Sequence, residues 1–333
     1  MTSPRFLIIR GGAIGDFILT TPVIAAIREQ WPSAHIELLG YPHIAGLALA
    51  PELLNAVHPI SSRGVATFYA EHGELDRDFR DYFRNFQQII SFLYDPDQVF
   101  EDNVKGIGGR RYIKGIHKPI EPEPPAQAIH ASKQFVKALE SLALYVDQPV
   151  PRLYPQRAER LFAHEFFKGE PTRPLVIVHP GSGGEKKLWP IENWIAFCRW
   201  LVGKKNVNLL IVEGEADQVN VKQLRSALSQ HPVLFASGLK LPQLAAVVEQ
   251  ANVFIGHDSG ISHLAAALGV PTLVLFGPTN PAVWRPLGAK VRVLLGSREW
   301  NEEIANPFFQ ASMTAITVPA AQKTAEEMLA GRV

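Results

Sequence analysis

A strand–turn–helix alternation that occurs twice, on either side of a proline-rich stretch, restricts this chain more than any other feature. "RFLIIR" (5–10) is a short apolar run bounded by charge, which reads as a buried strand. "GGAIGD" (11–16) reads as a glycine-rich turn, and "FILTTPVIAAIREQWP" (17–32) carries apolar residues at helical spacing up to Pro32. "HIELLG" (35–40) is the next strand. Parallel strands need a crossover, so this order predicts a parallel sheet. "ELLNAVHPI" and "FQQIISFLY" continue the series less clearly. Residues 95–130 are rich in Pro, Gly and charge and read as long loops beside short elements, a kind of segment that often carries function. "HASKQFVKALESLAL" (130–144) returns to helical spacing.

The second series begins at "PLVIVHPGSG" (174–183) and runs through "NWIAFCRWLVGK", "NLLIVEGEAD", "DQVNVKQLRSALSQ", "VLFASG" and "LPQLAAVVEQA". It closes with "VFIGHDSG", "ISHLAAALG", "TLVLFGP" and a last helix after Pro319. The expected fold class is α/β, with two doubly wound domains, which suits 333 residues. The boundaries expected are 1–155, a linker at 156–173 and 174–333, the last helix being a candidate to pack back on the N-terminal domain. In such sheets ligands bind beyond the carboxyl ends of the strands.

Composition removes several classes of function. The chain is 47% hydrophobic and 20% charged, ordinary for a globular protein with a core. A formal net charge of +1 gives no overall electrostatic case for a nucleic-acid partner. The single cysteine, Cys198, sits in an apolar helical stretch and reads as a packed small hydrophobe. No run reaches the roughly 18 apolar residues of a membrane span. The apolar run at the N-terminus is too short for a signal peptide. A cytoplasmic protein is expected, with peripheral contact at the inner face of the inner membrane left open.

Three strand ends carry residues suited to chemistry. In "RGGAIGD" (10–16), Gly11, Gly12 and Gly15 precede a helix. Glycine allows close backbone approach, and helix N-termini favour anions. The spacing is neither G-x-G-x-x-G nor a Walker A loop. Asp16 falls at or near the N-cap, and two roles stay open for it, a cap or a carboxylate general base. In "HPGSGGEKKLWP" (179–190), Ser182, Gly183 and Gly184 offer a hydroxyl and amides to a phosphate, and Lys187 a neutralising charge. The alternative is a surface loop with solvated lysines. In "HDSGISH" (257–263), Ser259 and Gly260 stand at a helix N-terminus. Asp258 repels phosphate and suits sugar hydroxyls, the alternative being an Asp/Ser cap. His263 reads as a hydrogen-bonding or phosphate-facing residue. With His257 it makes no convincing metal pair, because no third ligand has suitable spacing. No G-x-S-x-G elbow exists, and Ser182 and Ser259 have no evident base partner, which argues against a hydrolase.

Together, "FLIIRGGAIGDFILTTPVIAAIRE", "HPGSGGEKKLWPIENW", "IVEGEAD" and "FIGHDSGISHLAAALGVPTLVLFGPTNPAVWRPLG", in this order, resemble glycosyltransferase family 9, the ADP-heptose:lipopolysaccharide heptosyltransferases. The resemblance implies the GT-B fold, two Rossmann-like doubly wound domains with an inter-domain cleft. It also implies inverting transfer of a heptose from ADP-heptose to a hydroxyl of a lipopolysaccharide inner-core or related glycan acceptor. Asp16 matches the family's proposed catalytic base, and Lys187 the lysine at the donor phosphate and sugar. Ser182, Gly183, Ser259, Gly260 and His263 match the diphosphate side of the donor site, which Gly15 joins from the first glycine loop. Asp258 matches the residue on the donor sugar. Glu213, with Glu215 as the alternative, matches the carboxylate on the nucleoside hydroxyls. ADP-heptose is the donor substrate, and no cofactor or metal is needed for this mechanism.

The implied acceptor is an anionic glycan or glycolipid. Arg63, Lys105, Arg110, Arg111, Lys114 and Lys118 are candidates to hold it; a solvated basic surface is the alternative. The chain departs from the family near 89–110, where many relatives carry a "DLHG"-like strand end and it reads "ISFLYDPDQVFEDN". Two other readings stand beside the first. One is a GT-B transferase using another nucleotide sugar or a non-lipopolysaccharide acceptor. The other is a non-catalytic GT-B module that holds a nucleotide or glycan.

Overall fold

The computed structural model describes residues 3–108, 111–121, 127–169, 173–214, 217–296, 298–301 and 311–331. It divides into two units: residues 1–120 with 131–149, and residues 121–130 with 150–333.

The first unit holds a five-stranded parallel sheet in the order β3-β2-β1-β4-β5. Its strands are β1 (Arg5–Arg10), β2 (His35–Gly40), β3 (Ala56–Pro59), β4 (Gln88–Ser91) and β5 (Arg111–Lys114). Its helices are α1 (Ile14–Gln30), α2 (Pro42–Ala45), α3 (Arg63–Ala66), α4 (Arg77–Arg84), α5 (Val99–Gly106) and α6 (Ala131–Val136). β1 is central and buried from Phe6 to Arg10, which explains its continuous apolar run. Helix α1 begins three residues earlier than the apolar spacing indicates, so Gly15 and Asp16 belong to its first turn. Pro22 sits inside α1 without ending it. Pro22 has no N–H for the Ile18 carbonyl, and the Thr21 hydroxyl donates to that carbonyl instead, at 2.7 Å.

The second unit holds a seven-stranded sheet in the order β12-β11-β10-β9-β6-β7-β8, parallel except for the β11–β12 pair. Its strands are β6 (Leu175–His179), β7 (Asn208–Glu213), β8 (Val233–Ser237), β9 (Val253–His257), β10 (Thr272–Phe276), β11 (Val291–Leu295) and β12 (Arg298–Glu299). Its helices are α7 (Arg157–Phe167), α8 (Ile191–Lys204), α9 (Gln218–Ala227), α10 (Leu241–Glu249), α11 (Gly260–Ala267), α12 (Pro281–Trp284) and α13 (Val318–Leu329). β6, β9 and β10 are buried throughout and pack against a core that includes Trp189, Trp194 and Phe197.

Both sheets are doubly wound α/β, and each reverses its strand order beside its first strand. The switch lies between β1 and β4 in the first unit and between β6 and β9 in the second. One expectation about domains differs from what is found. The stretch 156–173 contains α7, which packs on α10 within the second unit, so it is part of that unit rather than a linker. The last helix, α13, joins the second unit's core through Ala321, Ala325 and Met328. Among the described residues, no helix is long and apolar enough to cross a membrane.

Candidate functional site

The carboxyl end of the β6/β9 switch gathers most of the donor-side residues. β9 ends at His257, so Asp258 and Ser259 follow directly and α11 begins at Gly260. Asp258 Oδ2 accepts from Lys187 Nζ at 2.6 Å and from Thr279 Oγ1 at 2.7 Å, while its main-chain carbonyl accepts from Ser182 Oγ at 2.9 Å. Three loops, after β6, β9 and β10, therefore meet on one carboxylate. The Asp258 side chain is 7% exposed and the Lys187 side chain 31%. A carboxylate this buried needs a cation and hydrogen-bond donors to stay charged at low cost. Neither Asp258 nor Ser259 caps α11 through its side chain, and the buried Ser259 hydroxyl has no partner. The capping alternative for this pair is thus not what the structure contains. Gly183 is exposed in the loop, and His263 is buried in the first turns of α11, its amide on the Ser259 carbonyl at 3.2 Å.

His257 explains how the loop after β6 is held. Its Nε2 accepts the Trp189 main-chain N–H at 2.9 Å, and its Nδ1 faces the Gly181 carbonyl at 3.2 Å. An amide can only donate, so Nε2 carries the lone pair and Nδ1 the proton, which makes the ring neutral. Burial agrees, pushing the imidazolium down to about 3. One ring therefore staples both ends of the 181–189 segment.

A second pair braces the same edge. His179 Nε2 lies 2.9 Å from Asp217 Oδ2, and the Gly214 N–H donates to that oxygen at 3.2 Å. Burial alone would raise the Asp217 carboxyl, but the hydrogen bond and charge of His179 and the Gly214 amide hold it below its usual range. A Cβ at Gly181 would overlap the Asp217 carboxylate, so only glycine fits there. Glu213, at the end of β7, accepts from the Ser237 hydroxyl and lies 3.4 Å from Arg225 Nη2. Glu215 lies outside the described residues.

The first unit presents Asp16 at the β1/β4 switch. Asp16 Oδ2 accepts from the Ala13 N–H at 3.3 Å, so the capping role is realised in part. Its Oδ1 is 3.8 Å from Arg10 Nη2, and its side chain is 33% exposed. Arg10 is only 4% exposed. Its guanidinium sits 4.7 Å from the Phe135 ring centroid and donates to the His117 carbonyl at 2.7 Å. Burial lowers the Arg10 pKa, and Asp16 opposes that. Gly12 has φ +106°, a left-handed conformation that favours glycine, and its missing Cβ would meet Asp16 Oδ2 at 3.3 Å.

The basic acceptor candidates differ in placement. Arg111 stands at the amino end of β5, paired with Gln88, and its guanidinium donates to the Ser141 carbonyl. That is the opposite edge of the sheet, a correction to its expected role. Lys105 and Lys114 both pair with Glu101, at 2.6 and 3.6 Å. Arg63 is exposed in α3. Arg110 lies outside the described residues.

Sequence reasoning missed Thr279, Arg10 and the His179–Asp217 pair. A hydroxyl just past β10, next to the switch strand, was the available signal for Thr279. For Arg10 it was a cation ending an otherwise apolar strand.

Comparison with known proteins gives this geometry a context. The model of glycosyltransferase family 9 (heptosyltransferase) matches residues 116–307. Lipopolysaccharide heptosyltransferase 3 of Escherichia coli K12 is 25% identical over 285 residues, covering 82% of each chain. The structure of the family 9 glycosyl transferase from Veillonella parvula superposes with a TM-score of 0.77 at 18% identity, covering 98% of this chain and 97% of that one. The E. coli ADP-heptose lps heptosyltransferase II superposes with a TM-score of 0.75 at 17% identity, covering 98% and 99%. This likeness bears out the GT-B fold expected from the resemblance.

Proposed function

Because the chain belongs to glycosyltransferase family 9, the heptosyltransferase family, we propose that it moves a heptose from ADP-heptose to a hydroxyl of a lipopolysaccharide inner-core or related glycan acceptor, inverting the anomeric carbon. The names of its relatives, a lipopolysaccharide heptosyltransferase and an ADP-heptose lps heptosyltransferase, support the donor and acceptor class.

The observation that carries the reading is the convergence of Lys187, Thr279 and Ser182 on Asp258 at the β6/β9 switch. The proposed roles follow from charge. Lys187 and the amides at the start of α11 face the diphosphate, where negative charge grows as the donor bond breaks. Asp258 orients Lys187 and accepts from hydroxyls of the donor sugar. Glu213, at the end of β7, takes nucleoside hydroxyls. Ser182, Gly183, Ser259 and His263 line the phosphate side.

Asp16 removes the proton of the acceptor hydroxyl. That oxygen attacks the anomeric carbon as its bond to the diphosphate breaks, the electron pair leaves with ADP, and the configuration inverts. Each of these roles is filled by a side chain or amide of the protein, and the scheme needs no metal. Peripheral membrane contact would follow if the acceptor is a glycolipid.

Calorimetry with ADP, GDP, UDP and ADP-heptose tests the donor assignment. Preference for ADP, with ADP-heptose tighter still, is expected. Preference for another nucleotide moves the donor, and binding of none overturns the reading.

A further inference from the structure

The carboxyl edge of the first sheet carries aromatic rings on both sides of Asp16. On the β2 side, Tyr41 directly follows the strand and is 38% exposed, its ring centroid 5.8 Å from that of His43. Tyr41 Cε2 lies 3.7 Å from where a Gly11 Cβ would stand, so the ring borders the glycine loop that leads to Asp16. On the β4 side, Tyr94 is 68% exposed, with its centroid 4.7 Å from that of His117. The position of His117 has a cause. A Cβ at Gly115 would overlap the Phe92 ring, so glycine there lets the segment after β5 close onto β4. The His117 carbonyl is then held by Arg10, the same guanidinium that faces Asp16.

These rings are not core residues left over at a surface. Tyr41 and Tyr94 follow the two strands that flank β1, and His117 follows β5 next to them, at the edge where ligands of such sheets bind. Of the cations expected there, Lys105 and Lys114 share Glu101 and Arg111 is at the other edge, which leaves Lys118, exposed next to His117. An exposed tyrosine offers a large flat apolar face at little cost in side-chain entropy, with a polar tip for a hydroxyl. A pyranose ring is complementary to that surface, with C–H groups on a face and hydroxyls at its rim.

We propose that the Tyr41–His43 and Tyr94–His117 pairs form the acceptor subsite and hold its sugar rings by stacking rather than by charge. This rests on the reading of Asp16 as the base that serves the acceptor. The subsite selects for ring shape and is tolerant of how many phosphates the glycan carries.

The test uses deacylated lipopolysaccharide core oligosaccharide, native and enzymatically dephosphorylated, titrated into the full chain and followed by NMR. Tyr41→Ala and Tyr94→Ala are each expected to weaken binding roughly tenfold, and Tyr41→Phe and Tyr94→Phe by less than about threefold. Dephosphorylation, or about 0.5 M salt, is expected to change affinity by less than about threefold. Backbone amide spectra that match the parent's away from the substitution, with calorimetric binding of ADP unchanged, show that each variant has folded.

The proposal is overturned if the alanine variants bind like the parent. It is equally overturned if dephosphorylation or salt removes binding, or if the parent binds neither oligosaccharide. Because binding is read without turnover, a parent that holds the oligosaccharide through these tyrosines but transfers nothing to it would sink the transferase reading and leave the subsite standing.

Discussion

The two sheets share a strand order around their switch points and differ in what they place there. At β6/β9, the polar groups are already bound to one another: Lys187 and Thr279 to Asp258, His257 to Gly181 and Trp189, and His179 to Asp217. At β1/β4, the Asp16 carboxylate is one-third exposed beside the buried Arg10, with exposed tyrosines after the flanking strands. A site that must stabilise a leaving diphosphate gains from charges fixed before the reaction, because little reorganisation is then needed. Under the proposed function, the first unit's site accepts a variable glycan and gains from flat surfaces and a proton acceptor. On that reading one topology serves either purpose, and the loops after the strands decide which.

Substitutions can break this contrast. Asp16→Asn keeps the shape and removes the proton acceptor, so transfer should fall by about 10²–10⁴ while ADP affinity holds. A residual rate near that of the parent would remove Asp16 from the base role. Lys187→Ala should cost about 10²–10³ in transfer and, unlike Asp16→Asn, also weaken ADP. If calorimetry finds ADP binding untouched, the fixed-charge side of the contrast fails.

The neutral His257 gives a pH signature. Its folded pKa, about 3, lies below its ordinary 6.5, so the unfolded chain takes up a proton first as pH falls. Stability is therefore full above pH 6.5 and should decline below it, by at most about 1.4 kcal/mol per pH unit from this ring. Urea unfolding at pH 7.5 and pH 5 reads the loss. His257→Asn, which keeps a donor and an acceptor without titrating, should flatten it. Thr279→Val removes one of two donors to Asp258 Oδ2, a net effect of about 1 kcal/mol. ADP-heptose should bind several-fold weaker, with ADP itself unaffected. Arg111→Ala should leave transfer within about twofold, since a surface change far from the site rarely costs more; a larger drop in an acceptor titration would return charge to the acceptor side.

Much of the fold was legible because its central strands are buried on both faces and read as unbroken apolar runs. "RFLIIR", "HIELLG" and "VFIGH" correspond to β1, β2 and β9. Helix α4, "RDFRDYFR", was not legible, being short, polar and buried only at Phe83. Helix α7 was legible as one helix among prolines, but its packing on α10 was not. In the site, Asp258, Ser182 and Lys187 were visible as residue types at strand ends. Their meeting was not, since Lys187 and Asp258 lie 71 residues apart and no local pattern records a contact over that separation. Arg10 was invisible for the same reason: the carbonyl that holds it is 107 residues away.

Residues 121–130 count with the second unit although the chain on either side of them counts with the first. The segment's two ends attach to neighbouring residues, Glu121 to the Trp284 indole at 2.7 Å and His130 to the Arg285 carbonyl at 2.8 Å. The polypeptide thus changes unit at 120/121, 130/131 and 149/150. For recombination, whether natural or in the laboratory, a single crossover anywhere in the chain leaves one parent's residues threaded through the other parent's unit. A chimera that exchanges the first unit between relatives while keeping the second intact needs three joints, with 121–130 travelling alongside 150–333.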